Sequence, residues 1–120
     1  MPRPLVLKLT AGTSEPEKVN QAFTVAASAV AAGSEVSLWL TGDASWLAVP
    51  GQAEELNLPH ATPLADLRDA VLAGGTLTLC SQCAARRELT EADLVPGVRI
   101  AGAVTFVEES LAEGAQALVY

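Results

Sequence analysis

One unit constrains the fold of this chain before anything else: a short apolar run, an amphipathic stretch of about sixteen residues, and a second short apolar run. Leu5-Val6-Leu7-Lys8-Leu9-Thr10 reads as a buried strand, and Ala11-Gly12-Thr13-Ser14 as the turn leaving it. Ser14 is the expected N-cap, with Glu17 three residues on and Pro16 inside the first turn. From Glu17 to Ala32 the apolar positions Val19, Ala22, Phe23, Ala26, Ala27 and Val30 share one face, and Gly33 stops the helix. Glu35 to Leu40 supplies the second strand. Strand, helix, strand at this spacing is a right-handed crossover between parallel strands.

The rest of the chain repeats the alternation less regularly. Thr41-Gly42-Asp43 ends the second strand, and Asp43 reads equally as a cap and as a functional carboxylate. Ala44 to Pro63 is broken by Pro50-Gly51, Pro59-His60 and Pro63, with a short helical turn expected around Trp46. Such a stretch after a strand commonly covers a site. Thr62 is the expected cap of a helix from Pro63 to Ala73, ended by Gly74-Gly75. Thr76 to Leu79 is a third strand that delivers Cys80 at its end, and Ser81 to Arg87 a short helix. Thr90 and Asp93 stand at capping-box distance. Val98 to Ile100 reads as a weak strand. Ala103 to Glu113 reads as a helix with Val104, Val107 and Leu111 inward and Glu108 and Glu109 exposed, and Ala117 to Tyr120 as the last strand. The expected fold is α/β: a three-layer α/β/α sandwich around a mostly parallel sheet of about five strands, in one domain spanning 1–120.

Composition narrows the function classes. Half of the residues are apolar, yet only two Trp, one Tyr and two Phe are aromatic. Fourteen acidic residues against seven basic ones give a net charge of -7, which repels polyanions. Arg86-Arg87 is the only adjacent basic pair, far below what a phosphate backbone requires. Direct nucleic-acid binding is therefore not expected. No apolar run of roughly twenty residues occurs and Met1-Pro2-Arg3-Pro4 does not read as a signal peptide, so no membrane association and a cytoplasmic location are expected.

The chemistry concentrates at Leu77-Thr78-Leu79-Cys80-Ser81-Gln82-Cys83-Ala84-Ala85-Arg86-Arg87, which holds both cysteines of the chain. In open α/β sheets the working crevice lies beyond the carboxyl ends of the strands. Cys80 falls at such an end, where the helix beginning near Ser81 favours a thiolate. Cys83 reads either as a partner that closes a disulfide or resolves a persulfide, or as apolar filler of the helix's first turn. Arg86 and Arg87 read as anion-steadying groups or as a solvated face. His60, the one histidine, is either a base for Cys80 or an ordinary loop residue. Two cysteines make no structural zinc site, and with His60 a fourth protein ligand would still be missing, so no metal is expected. The first turn lacks Gly-x-Gly-x-x-Gly and no phosphate-loop motif occurs. Gly12 and Thr13 remain candidate ligand-binding residues of a hydroxyl-rich loop, and no cofactor is expected.

Cys80-Ser81-Gln82-Cys83-Ala84-Ala85-Arg86-Arg87, then Ile100-Ala101-Gly102-Ala103 to Leu111 and the closing strand, resemble the DsrE/DsrF-like family. That family includes YchN-like proteins, sulfur-carrier subunits of the tRNA 2-thiolation relay and their relatives in sulfur-oxidising bacteria. The resemblance implies a compact α/β/α sandwich that assembles as a homo-oligomer, trimeric or hexameric. It also implies a persulfide-carrying cysteine at the position of Cys80. Glu88 departs from the pattern, standing where many relatives have glycine. The implied function is a sulfur carrier or sulfurtransferase-like protein that works with donor and acceptor proteins. The alternatives are a non-catalytic oligomeric binding protein of the same fold and a thiol-disulfide redox protein using Cys80 and Cys83. The thioredoxin pattern, with a long helix opened by the first cysteine after an aromatic residue, is absent.

Overall fold

The computed structural model describes residues 3–120. Its five strands are β1 (Pro4–Leu9), β2 (Glu35–Leu40), β3 (Thr76–Cys80), β4 (Arg99–Ala101) and β5 (Gln116–Val119), in the order β4-β3-β2-β1-β5. All four strand pairings are parallel. The helices are α1 (Pro16–Ala31), α2 (Leu64–Gly74), α3 (Ser81–Arg86) and α4 (Ala103–Ser110). Successive strands β1 to β4 step one place at a time toward one edge, so right-handed crossovers put α1 and α2 on the same face. The connection from β4 returns past the first three strands to reach β5, and the same handedness carries α4 to the opposite face.

The two faces differ sharply in chemistry. Pleating sends Leu7, Leu9, Leu38, Leu40, Leu77 and Leu79 to one side, where they pack on Val19, Phe23 and Ala26 of α1 and Leu64 and Val71 of α2. This is the main core. The other side of β2 presents Ser37 and Trp39, and α4 covers it with Phe106 and Glu109. Phe106 meets Trp39 edge-on, ring centroids 5.4 Å apart. Glu109 accepts from Ser37 Oγ at 2.6 Å, from Trp39 Nε1 at 2.9 Å and from Arg99 at 2.8 Å, and Arg99 also donates to Thr78 Oγ1 at 2.9 Å.

That arrangement corrects the expected orientation of α4. Val104, Val107 and Leu111 are 74%, 49% and 80% exposed, and Glu109, expected on the outside, points at the sheet. The strand face under α4 is polar, so a carboxylate satisfies it where a valine stripe would leave donors unpaired. Two caps also differ. Glu15, not Ser14, precedes α1, with Pro16 opening it, and Pro63 rather than Thr62 precedes α2; neither has a side-chain cap bond. The Thr90/Asp93 capping box does form, with Asp93 accepting from the Thr90 backbone at 2.8 Å.

The irregular stretch after β2 contains two 3-10 turns, Gly42–Ala48 and Ala53–Glu55. Trp46 is exposed on the first. The second is pinned by the buried Arg68 of α2, whose guanidinium forks onto Glu54 at 3.1 and 2.9 Å. That fork holds the Glu54 carboxyl below its ordinary value. Among the described residues, no helix is long and apolar enough to cross a membrane.

Candidate functional site

Three connections meet at the carboxyl edge of the sheet: the turn after β1, the turn after β2, and the β3–α3 junction. Cys80 is the last residue of β3 and, with extended backbone at φ -58 and ψ 129, the residue that caps α3. Its side chain is half-buried. Cys83 sits in the first turn of α3 and is 8% exposed. Neither is in a disulfide.

What covers Cys83 is the turn after β2. Gly42 adopts φ +53, a left-handed conformation that favours glycine, and its N–H donates to Cys83 Sγ at 3.3 Å. Next to it, Asp43 accepts from Arg87 at 3.4 Å, and Arg87 also donates to the Cys83 carbonyl at 3.2 Å. Burial pushes the Cys83 thiol up. The Gly42 N–H, the neighbouring Cys80 thiol and the positive charges of Arg87 and Arg86 pull it down and prevail, so Cys83 ionises below the ordinary thiol range.

The turn after β1 closes the arrangement from the side. Gly12 is buried against Asp43, so tightly that a Cβ there would stand 2.7 Å from the Asp43 carbonyl oxygen. On the far side Gly102, after β4, leaves room for Ser81, whose Oγ would be 3.1 Å from an added Cβ. Gly12, Gly42, Asp43, Cys80, Cys83 and Arg87 thus form one continuous patch. Arg86 is exposed beside it and acts on Cys83 through charge.

Two expected site residues lie elsewhere. Thr13 is exposed and lines a separate cleft of about 300 Å³ with Gln52 and Asn57. His60, at φ 62, lines a cleft of about 350 Å³ with Glu17, Asn20 and Gln21 of α1. Neither cysteine lines that cleft, and no hydrogen bond joins His60 to a thiol among the described residues. No group of three or more His, Cys, Asp or Glu side chains able to hold a metal occurs among the described residues.

Gly42 is the site residue that sequence reasoning did not single out, and Asp43, read there as a cap or a functional carboxylate, proves to be the partner of Arg87. The available signal was their place directly after a strand at the carboxyl edge of an α/β sheet. Their contact with Cys83 and Arg87 spans more than forty residues, and no local pattern encodes it.

Comparison with known proteins agrees with this architecture. The model of the DsrE/DsrF-like family matches residues 5–119. An uncharacterised protein of Methanocaldococcus jannaschii is 32% identical over 99 residues, covering 82% of this chain and 36% of that protein. The chain thus spans about a third of the length of that curated relative. Among solved structures, the ychN protein from E. coli superposes with a TM-score of 0.72 at 18% identity, covering 100% of both chains. A protein of unknown function from Methanobacterium thermoautotrophicum gives 0.75 at 12% identity, over 98% of this chain and 99% of that one. At these identities the superpositions speak for the fold, and the family match for descent. The chain belongs to the DsrE/DsrF-like family.

Proposed function

We propose that the protein handles sulfane sulfur as a cysteine persulfide, with Cys80 and Cys83 as the sulfur-handling residues. The observation that carries this reading is the Gly42 N–H at 3.3 Å from Cys83 Sγ, beside the half-buried Cys80. A backbone donor on a thiol sulfur, with Arg86 and Arg87 supplying positive charge, is suited to an anionic sulfur species. Cys80 is the more accessible of the two and is the acceptor of sulfur from a donor protein in this reading. Thiols of this kind need a reducing compartment, which favours the cytoplasm.

Assembly belongs to the same proposal. Val104 and Val107 on α4 and Leu111 just after it, together with Leu118 and Val119 on the edge strand β5, are exposed apolar side chains. A second copy covering them would make a homo-oligomer, trimeric or hexameric in line with the family resemblance. Val107→Glu with Leu111→Glu should then yield a folded protein of lower mass in sedimentation equilibrium.

The test of function is mass spectrometry of both thiols after treatment with a persulfide donor. An increase of about 32 Da on the Cys80 peptide is expected. No adduct on either cysteine with several donors, together with slow alkylation of both, would favour a non-catalytic binding protein. A reversible disulfide without sulfur uptake would favour thiol-disulfide exchange as the function.

A further inference from the structure

The two thiols are not equivalent, and their asymmetry assigns them opposite tasks. Cys80, half-buried at the strand end, is the more exposed of the two sulfurs. Cys83 lies beneath the Gly42 turn, 8% exposed, where a protein-borne donor cannot approach it. It stands one helical turn from Cys80, and Cys80 caps the helix in an extended conformation rather than a helical one. The Cys80 side chain is thus free to swing toward the first turn, as an i, i+3 pair requires for a disulfide.

We infer that Cys83 is a resolving thiolate, which attacks the Cys80 sulfur of a Cys80 persulfide and expels hydrosulfide. The inference rests on the reading of Cys80 as the sulfur acceptor. In the step, the bond between Cys80 Sγ and the sulfane sulfur breaks and a bond between Cys80 Sγ and Cys83 Sγ forms. The persulfide reacts as neutral Cys80–S–SH, so the sulfane sulfur keeps its proton and takes the electron pair of the broken bond as hydrosulfide. The sulfane sulfur is reduced to sulfide, and the two cysteines are oxidised to a disulfide. A dithiol reductant returns the pair to two thiols and closes the cycle.

Three features favour this outcome over onward transfer. The Gly42 N–H bond on Cys83 Sγ and the charges of Arg87 and Arg86 favour the thiolate form of Cys83. Hydrosulfide is a weaker base than a cysteine thiolate, so it is the faster leaving group from the Cys80 sulfur. The covered position of Cys83 makes an acceptor protein's attack there unfavourable, whereas hydrosulfide is small enough to escape past Cys80. The protein would then be a persulfide-reducing, sulfide-releasing member of its family.

The experiment treats the reduced full-length protein with inorganic tetrasulfide, removes the excess, and follows intact mass and hydrosulfide release together. In the unsubstituted protein, about one hydrosulfide per chain should appear as the mass settles about 2 Da below the reduced form. Cys83→Ser should instead hold about 32 Da on the Cys80 peptide, with release at least about tenfold slower. Cys83→Ala, which leaves no hydroxyl under the Gly42 turn, should behave as Cys83→Ser does, and circular dichroism checks that both fold. Release from both variants at the unsubstituted rate, or a stable adduct of about 32 Da in the unsubstituted protein with no disulfide, overturns the resolving role while leaving the carrier reading intact. No adduct on Cys80 in either variant overturns both.

Discussion

The Gly42 N–H and the Cys83 sulfur, 3.3 Å apart, tie the end of β2 to the first turn of α3 across forty-one positions of sequence. This bond holds Cys83 in place and favours its ionised form. It depends on neighbours that can each be perturbed separately.

Gly12→Ala tests the support behind the bond. The new methyl would stand 2.7 Å from the Asp43 carbonyl oxygen and 2.8 Å from the Asp43 Cβ, both fixed by backbone. The turn carrying Gly42 must move, at a cost of about 1–3 kcal/mol. Chemical denaturation should show that loss, and the pH midpoint of Cys83 alkylation should move upward as the Gly42 N–H is drawn away. A variant with unchanged stability and unchanged reactivity would contradict the packing described.

Arg87→Gln tests the charge. The guanidinium is one of the groups that draw the Cys83 thiol below its ordinary value, so its removal moves that value upward and lowers the thiolate fraction at neutral pH. In a Cys80→Ser background, the thiolate absorbance midpoint should shift to higher pH and alkylation should slow by about threefold. An unmoved midpoint would mean that Arg87 acts only through its bond to the Cys83 carbonyl.

Glu109 makes stability pH-dependent at the opposite face. Burial raises its carboxyl, but bonds from Ser37, Trp39 and Arg99 lower it further and prevail. A carboxyl whose folded value lies below its unfolded value stabilises the fold fully above the unfolded value of about 4.3, and this is lost as pH falls through the folded value. Glu109→Gln should cost about 1–2 kcal/mol near neutrality, and the gap from the unsubstituted protein should narrow on acidification through that window. Melting curves from neutral pH downward measure it; a gap that widens on acidification would refute the account.

Glu88→Gly should stabilise the protein. Leu89 donates to the Ala84 carbonyl at 2.9 Å and Glu88 to Ala85 at 3.1 Å, the paired bonds of a helix ending that needs a left-handed residue. Glu88 supplies it at φ 54, where Gly33 supplies the same turn after α1 at φ 87. Relief of that backbone cost should raise stability by about 1 kcal/mol, less the added freedom of the unfolded chain. A fall in the urea midpoint would show that the Glu88 side chain contributes something else.

The crossover units were legible because their information is local. The apolar stripe of α1, the breakers after it and the run into Cys80 specify elements within a few residues of themselves. α4 was misread for a physical reason. Its valine stripe looks inward only if the surface beneath is apolar, and that surface is made by Ser37, Thr78 and Arg99 from three other strands. The cysteine pair and its strand-end position were readable from spacing. The Gly42–Cys83 bond, the Asp43–Arg87 pair and the Arg68–Glu54 fork were not, since each joins residues that only the folded chain brings together.

The strand order also has a kinetic consequence. β1 to β4 are added one neighbour at a time, so each pairing closes a modest loop, whereas β5 docks beside β1 only after the chain has travelled back across the whole sheet. Its last backbone bonds, Thr10 to Tyr120 at 3.0 Å and Tyr120 to Lys8 at 2.8 Å, join positions more than a hundred residues apart. β5 and α4 are therefore expected to close last and open first. In hydrogen-exchange measurements on the isolated chain, their amides should exchange through a partial opening that leaves β1, β2 and β3 protected, and the edge that carries Cys80 and Cys83 intact.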